Sequence, residues 1–104
     1  MLENDLRFIK MEVNVYSIPT CAWCEKLKTW MKKKKISFIE HDLTESDSAR
    51  DEMIEKSHQM ATPVTIVKFF EEKEEDGEII KTLVKENVVV GFEEKKLEAA
   101  LKEE

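Results

Sequence analysis

"SIPTCAWCEKL", residues 17–27, holds both cysteines of the chain, Cys21 and Cys24, with two residues between them. Four chemistries use such a pair: a structural disulfide, half of a zinc site, two ligands of an iron–sulfur cluster, and a redox-active dithiol. The flanking sequence separates them. Upstream, "VNVYS" (13–17) alternates apolar and polar residues and then meets Pro19, the pattern of a strand running into a turn. Downstream, Trp23, Leu27, Trp30, Met31 and Lys34 recur at helical spacing from Ala22 to Lys35, with no Gly or Pro between. The cysteines therefore sit where a strand gives way to a helix. Unpaired N–H groups and the dipole at a helix N-terminus favour a thiolate. Cys21, at the tip, is expected to be the exposed nucleophile, and Cys24, one turn in, the shielded resolving thiol.

The alternatives fare less well. A structural disulfide closing so short a loop removes little entropy from the unfolded chain. "MLENDLRFIK" at the start has mixed charge and no apolar stretch of the secretory kind. No run approaches the roughly 20 apolar residues of a membrane helix. A cytoplasmic location off the membrane is the expectation, and static disulfides are rare in a reducing compartment. A zinc site lacks its second half: no further cysteines exist, and His41 and His58 are too far apart for the close histidine pair such sites use.

With 41% hydrophobic and 38% charged residues, the 104-residue chain reads as one globular domain, residues 1–104, with a heavily charged surface. Its net charge of −6 argues against nucleic-acid binding. The run Lys32–Lys35 is then read as a solvated helix end complementing the dipole rather than a docking patch.

Further along, "ISFIEHD" (36–42) predicts a second strand. "TESD" (44–47) predicts a helix with Thr44 as N-cap, running to about Ser57 with Ala49, Met53 and Ile54 inward. "ATPVTIVKFF" (61–70) is a turn at Pro63 followed by a strand, and Asp76-Gly77 within "EEKEEDGE" marks a hairpin. "IIKTLV" (79–84) and "NVVVG" (87–91) return as strand, and 93–102 forms a last helix with Leu97, Ala100 and Leu101 on one side. The order βαβα, ββ, α implies an α/β fold. Its first unit makes a parallel pair with a right-handed crossover and its hairpin is antiparallel. The result is a mixed four-stranded sheet covered by three helices, with residues 1–10 left open between an extra turn or strand and a loose, fraying extension.

CxxC at a helix start inside a βαβ unit is the thioredoxin-like redox pattern. Pro63, opening the strand after the next helix, adds to it. A cis Thr62–Pro63 bond there would leave the Thr62 backbone free to pair with an extended substrate beside Cys21. Trp23, between the cysteines, is either a contact at the mouth of the site or ordinary packing.

These segments resemble the glutaredoxin-like branch of the thioredoxin superfamily, from about Val13 to Leu101. "VYSIPTCAWC" is similar to the family's strand and active-site segment, "SHQMATPV" to the segment ending in its cis proline, and "VVVGFEEKKLEAAL" to its glycine turn and closing helix. The resemblance implies a thioredoxin-like fold and a dithiol–disulfide oxidoreductase. Cys21 and Cys24 are then catalytic, and Trp23, Thr62, Pro63, Gly91 and Phe92 line the substrate site. No cofactor or metal is implied.

The departures carry information too. Glutathione-using members commonly have lysine where this chain has Ile18 and a basic residue where it has Met60. Their threonine is replaced by Ala61, and their glycine pair, small residue and aspartate by Gly91, Phe92, Glu93 and Glu94. Fewer cations and more acids should weaken the hold on glutathione's two carboxylates. "VVVGF" is more similar to glutaredoxin-like redoxins reduced by a thioredoxin-reductase-type flavoenzyme, some of which feed ribonucleotide reductase. "KFFEEKEEDGEIIKTLVKEN" (68–87) is longer than in the smallest members and is read as two lengthened strands.

The expected partners are a disulfide-bearing protein or small molecule and a reductant. That reductant is such a flavoenzyme or a low-molecular-weight thiol. The chain would act as a monomer in electron transport and cell redox homeostasis, with no nucleic acid and no membrane. The rival is an iron–sulfur carrier, a dimer using Cys21 from each protomer with external thiols. Trp23 and the poor glutathione pocket weigh against it. A redox-idle binding domain is disfavoured by the intact CxxC.

Overall fold

The computed structural model describes residues 7–102. Seven elements follow in order: β1 (Arg7–Ser17), α1 (Ala22–Lys33), β2 (Ile39–Asp42), α2 (Asp47–Ser57), β3 (Val64–Glu75), β4 (Glu78–Val90) and α3 (Glu94–Ala100). They form one four-stranded sheet of order β2-β1-β3-β4, in which β1 and β2 are parallel and the other pairs antiparallel. This is the expected mixed sheet with three helices.

The period-2 pattern of β1 and β3 explains the layering. Val13 and Val15 point to one face with Val67, Phe69 and Val89, where Leu27, Trp30 and Met31 of α1 and Leu97 and Ala100 of α3 cover them. Tyr16, Val64 and Ile66 point to the other, against Ala49 and Met53 of α2. The two central strands are thus buried on both faces near the cysteine end, which is why they carry almost no charge there.

Four local expectations are corrected. The first strand begins at Arg7, not Val13: Arg7–Lys10 pair with Lys73–Phe70 of β3, so this part of the extension is strand, one of the forms left open for it. Lys10 reaches Glu72 diagonally at 3.7 Å, the opposite-charge pairing that lets a charged segment join a strand. Residues 1–6 of that extension lie outside the described residues.

The second strand begins at Ile39 rather than Ile36, because residues 34–36 end α1. Lys35 is left-handed (φ 61°), with Ile36 N–H bonded to Met31 O and Lys35 N–H to Lys32 O, a Schellman closure. The cap of α2 is Ser46, whose Oγ accepts from Ala49 N at 3.1 Å. Thr44 instead donates its hydroxyl and N–H to Asp42 Oδ1, an Asx-type turn one step earlier. The last helix is shorter than expected, with Glu93 as an N-cap whose side chain makes no capping bond.

Asp76 (φ 52°) and Gly77 (φ 81°) form the two-residue turn between β3 and β4, the left-handed pair that matches strand twist. The polar stretch around them is strand, as the reading of two lengthened strands expects. In β4 "IIKTLV" and "NVVV" join through Lys85 and Glu86. A bulge absorbs the mismatch: Phe69 opposes Lys85 and Phe70 opposes Leu83, leaving Val84 as the extra residue.

Candidate functional site

The cysteine loop is held at both ends by hydrogen bonds. Ser17, buried at the end of β1, donates to Glu40 Oε2 at 2.8 Å, and its carbonyl accepts from Leu43 N at 2.9 Å. Lys28 of α1 bonds the same carboxylate at 2.6 Å and also Glu25 at 3.0 Å. Strand, helix and β2 are so tied beneath the loop. The Lys28 bond, then the Ser17 bond, hold Glu40 below the ordinary carboxylate range. Lys28 is raised in turn, chiefly by Glu40. The loop itself is a turn from Ile18 to Cys21, closed by Cys21 N–H to Ile18 O at 3.3 Å. Pro19 occupies its second position, where a fixed φ is favoured.

Cys21 is the N-cap of α1, in extended conformation, and its Sγ accepts from Cys24 N at 3.0 Å. The serine or aspartate usual at this position is here a cysteine, so the backbone donor that would cap the helix points at sulfur. Cys24, in the first turn, is fully buried, and the two cysteines are disulfide-bonded with Cα atoms 5.2 Å apart. Thr62 Oγ1 is a second donor, 3.6 Å from Cys21 Sγ. Both donors would stabilise charge on that sulfur once the bond is open.

Thr62–Pro63 is cis, as expected. Pro63 is buried, its carbonyl accepts from Gly91 N at 2.8 Å, and Gly91 holds φ 87°, where a side chain is strained. Thr62 makes no backbone hydrogen bond among the described residues, so its N–H and carbonyl remain open beside Cys21. Of the sequence-derived residues, Thr62 therefore meets Cys21, and Gly91 meets Pro63. Trp23 is 56% exposed and tilts over Phe92 with centroids 6.5 Å apart, while Lys26 lies 4.4 Å over its ring.

Two depressions flank the pair's neighbourhood. One is lined by Ile18, Met53, Met60, Ala61 and Thr62, with Arg50 also in its wall. It brings together positions 18 and 60, where this chain has Ile and Met in place of the basic residues common in glutathione-using members. Arg50 was not foreseen; its spacing of three from Met53 was the available signal, and it is bonded to Asp47 at 3.0 Å. The other depression lies between α1 and the start of α3. Trp30 and Phe92 form its aromatic part, and Lys26, Lys33 and Glu94 also line it.

Behind the sheet, Tyr16 donates to Glu52 at 2.8 Å and stacks on His41. Burial, then the Glu52 bond, push the phenol well up. Burial also raises Glu52, but the bonds from Tyr16 and Lys68 outweigh it and leave that carboxyl lowered. His41 bonds Asn14, and His58 is the left-handed C-cap of α2; neither faces the cysteines' own contacts.

The comparisons agree with this geometry. A glutaredoxin family model matches residues 13–69. An uncharacterized glutaredoxin-like 8.6 kDa protein in the rubredoxin operon of Clostridium pasteurianum is 32% identical over 80 residues, covering 77% of this chain and 84% of that protein. The crystal structure of the thioredoxin-like protein BC3987 superposes with a TM-score of 0.61 at 26% identity, over 86% of this chain and all of that one (100%). The glutaredoxin of Archaeoglobus fulgidus, at 17% identity, shares the fold with a TM-score of 0.62, over 88% of this chain and 86% of its own. The matched span runs from the strand that leads to the cysteines, through the helix they open, to the strand that follows the cis proline. With the clostridial relative, it shows that this chain belongs to the glutaredoxin family.

Proposed function

We propose that the chain is a dithiol–disulfide oxidoreductase in which Cys21 attacks and Cys24 resolves. The observation that carries this is the inequality of the two thiols. Cys21 caps a helix with two donors on its sulfur, and Cys24 is buried one turn in. The Cys21 thiolate attacks one sulfur of a target disulfide. That S–S bond breaks, and the departing target thiolate takes a proton. The Cys24 thiolate then attacks Cys21 Sγ, having given its own proton to water or to the departing thiolate. The second target thiol leaves, and two electrons have passed to the target while a Cys21–Cys24 disulfide remains.

Thr62, with open backbone groups, is the strand-like partner for an extended substrate, and Trp23, Pro63, Gly91 and Phe92 complete the contact region. The electron donor is proposed to be a thioredoxin-reductase-type flavoenzyme or another small thiol rather than glutathione. Ile18 and Met60 give the cleft no cation, and Arg50 is already paired with Asp47. The chain is proposed to work as a monomer in the cytoplasm. The test is insulin reduction with dithiothreitol as regenerating reductant. The protein should accelerate precipitation well above dithiothreitol alone, and Cys21→Ser should fall to background. No acceleration by the intact protein would sink the proposal.

A further inference from the structure

Resting on that reading of the cysteine pair, we propose that the groove between α1 and the start of α3 docks an acidic segment of the oxidised partner protein, with an apolar side chain of that segment seated on Phe92 beside the largely buried Trp30. The first observation is charge segregation. Residues 22–35 carry Lys26, Lys28, Lys32, Lys33, Lys34 and Lys35 against one acid, Glu25, in a chain whose net charge is −6. The redox helix is the basic element of an acidic molecule.

The second observation is which of these lysines lack an acidic partner, Lys26 lying instead over the Trp23 ring. Lys28 is held by Glu25 and Glu40, and Lys34 pairs with Glu98 at 3.2 Å while lying over Trp30. Lys26 and Lys33 form no ion pair among the described residues, and both line the groove. Seven positions apart, they lie two turns from each other on one side of α1, so a segment laid along the helix meets both. Of the run Lys32–Lys35, expected to be a solvated helix end, Lys33 takes a further role as a groove cation; Lys26 lies outside that run.

The third observation is the groove's chemistry. Phe92 meets Trp30 edge to face at 6.1 Å and is tilted to Trp23 at 6.5 Å, which links the aromatic floor to the exposed ring between the cysteines. A partner with an apolar residue between acids matches that order of aromatic and cationic groups. The acids in the walls set the limits. Glu25 pairs with Lys28, which Glu40 shares, so Glu25 at the start of the groove and Glu94 at the α3 side both disfavour acid beside them. The partner's charge therefore follows the α1 wall. A long polyanion would meet the net negative charge beyond the groove, so a short acidic protein segment fits better than nucleic acid.

The test uses three synthetic peptides, each with an internal disulfide flanked by Glu-Phe-Glu, Gln-Phe-Gln or Lys-Phe-Lys. Oxidation of the pre-reduced protein in a single turnover, followed by tryptophan fluorescence across peptide concentration, gives a half-saturating concentration and a limiting rate. The acidic peptide should half-saturate about three- to tenfold lower than the neutral one at low salt, as two exposed ion pairs allow. The difference should shrink at high salt, with similar limiting rates. Lys26→Glu with Lys33→Glu should reverse the ranking and favour the basic peptide, an outcome an unfolded variant does not give. Equal values for the three peptides, or an unchanged ranking in the double variant, would overturn the docking proposal. Stronger competition by a single-stranded oligonucleotide than by the acidic peptide would overturn it as well. Hydroxyethyl disulfide, small and uncharged, reports the underlying reading. If the unaltered protein reduces it while the peptide ranking fails, only the docking site is wrong. If it is not reduced, the redox reading fails and the docking proposal falls with it.

Discussion

Placing cations at positions 18 and 60 should raise glutathione-dependent turnover, by unequal amounts that the structure sets. Ile18 is half-buried beside Thr62, whereas Met60 is 71% exposed. A lysine at 18 would meet a glutathione carboxylate partly shielded from water, where a charge-assisted hydrogen bond contributes about 1.5–3 kcal/mol. The cleft is open, so the lower end applies, roughly a tenfold gain in affinity. An arginine at 60 works in water-like surroundings, where an exposed pair contributes about 0.2–1 kcal/mol, no more than about fivefold. Ile18→Lys should therefore outperform Met60→Arg, and the double variant should exceed either. Asp47→Ala offers an independent route: it releases the guanidinium of Arg50, a residue of the cleft wall, and should also raise glutathione use modestly. The assay is NADPH oxidation with glutathione and glutathione reductase, run beside a thioredoxin reductase couple at equal NADPH. Faster turnover of the unaltered protein with glutathione than with the flavoenzyme would refute the reasoning. So would a larger gain at position 60 than at 18.

Three other outcomes are expected. Gly91→Ala forces a side chain into φ 87° and should cost about 1–2 kcal/mol in denaturant unfolding, although nothing crowds its Cβ; an unchanged midpoint would contradict the strain argument. Glu40 and Glu52 are held below their ordinary value of 4.5, so their stabilisation is complete above that pH and is lost as pH falls through the lower folded values. Thermal unfolding followed from neutral to acid pH should show this loss, and Glu40→Gln should flatten it; an identical profile in the variant would remove Glu40 from the account. Alkylation of the reduced protein at mildly acidic pH, read by peptide mapping, should label Cys21 well ahead of the buried Cys24, and preferential labelling of Cys24 would reverse the assignment.

Much of the fold was legible because local chemistry and tertiary placement agreed. The alternation of "VNVYS", the unbroken helical spacing after Cys21 and the Asp76-Gly77 turn each specify their element without outside help. Where the reading slipped, a choice between neighbouring residues was decided by partners distant in sequence or by competing local bonds. Arg7–Lys10 joins the sheet because β3 is long enough to meet it, and the segment's own charges hid that. Thr44 and Ser46 are equally good caps in isolation; Asp42 engages Thr44 and leaves Ser46 to cap. At the site, the cysteines, Thr62 and Pro63 were legible from motif and spacing. Arg50 in the cleft wall, and the groove joining Lys26, Trp30 and Phe92, depend on how α1, α2 and α3 meet the sheet end, which no single segment encodes.

The central claim is that Cys21 attacks and Cys24 resolves. It is tested most directly by trapping: Cys24→Ser and Cys21→Ser, each pre-reduced, are mixed with one disulfide-bearing peptide, quenched with acid and weighed by intact mass spectrometry. The account predicts a stable mixed disulfide on Cys21 of the Cys24→Ser protein, because the resolving attack is gone, and little adduct on the Cys21→Ser protein, whose remaining thiol is buried. Equal trapping by the two variants, or an adduct chiefly on Cys24, would contradict it.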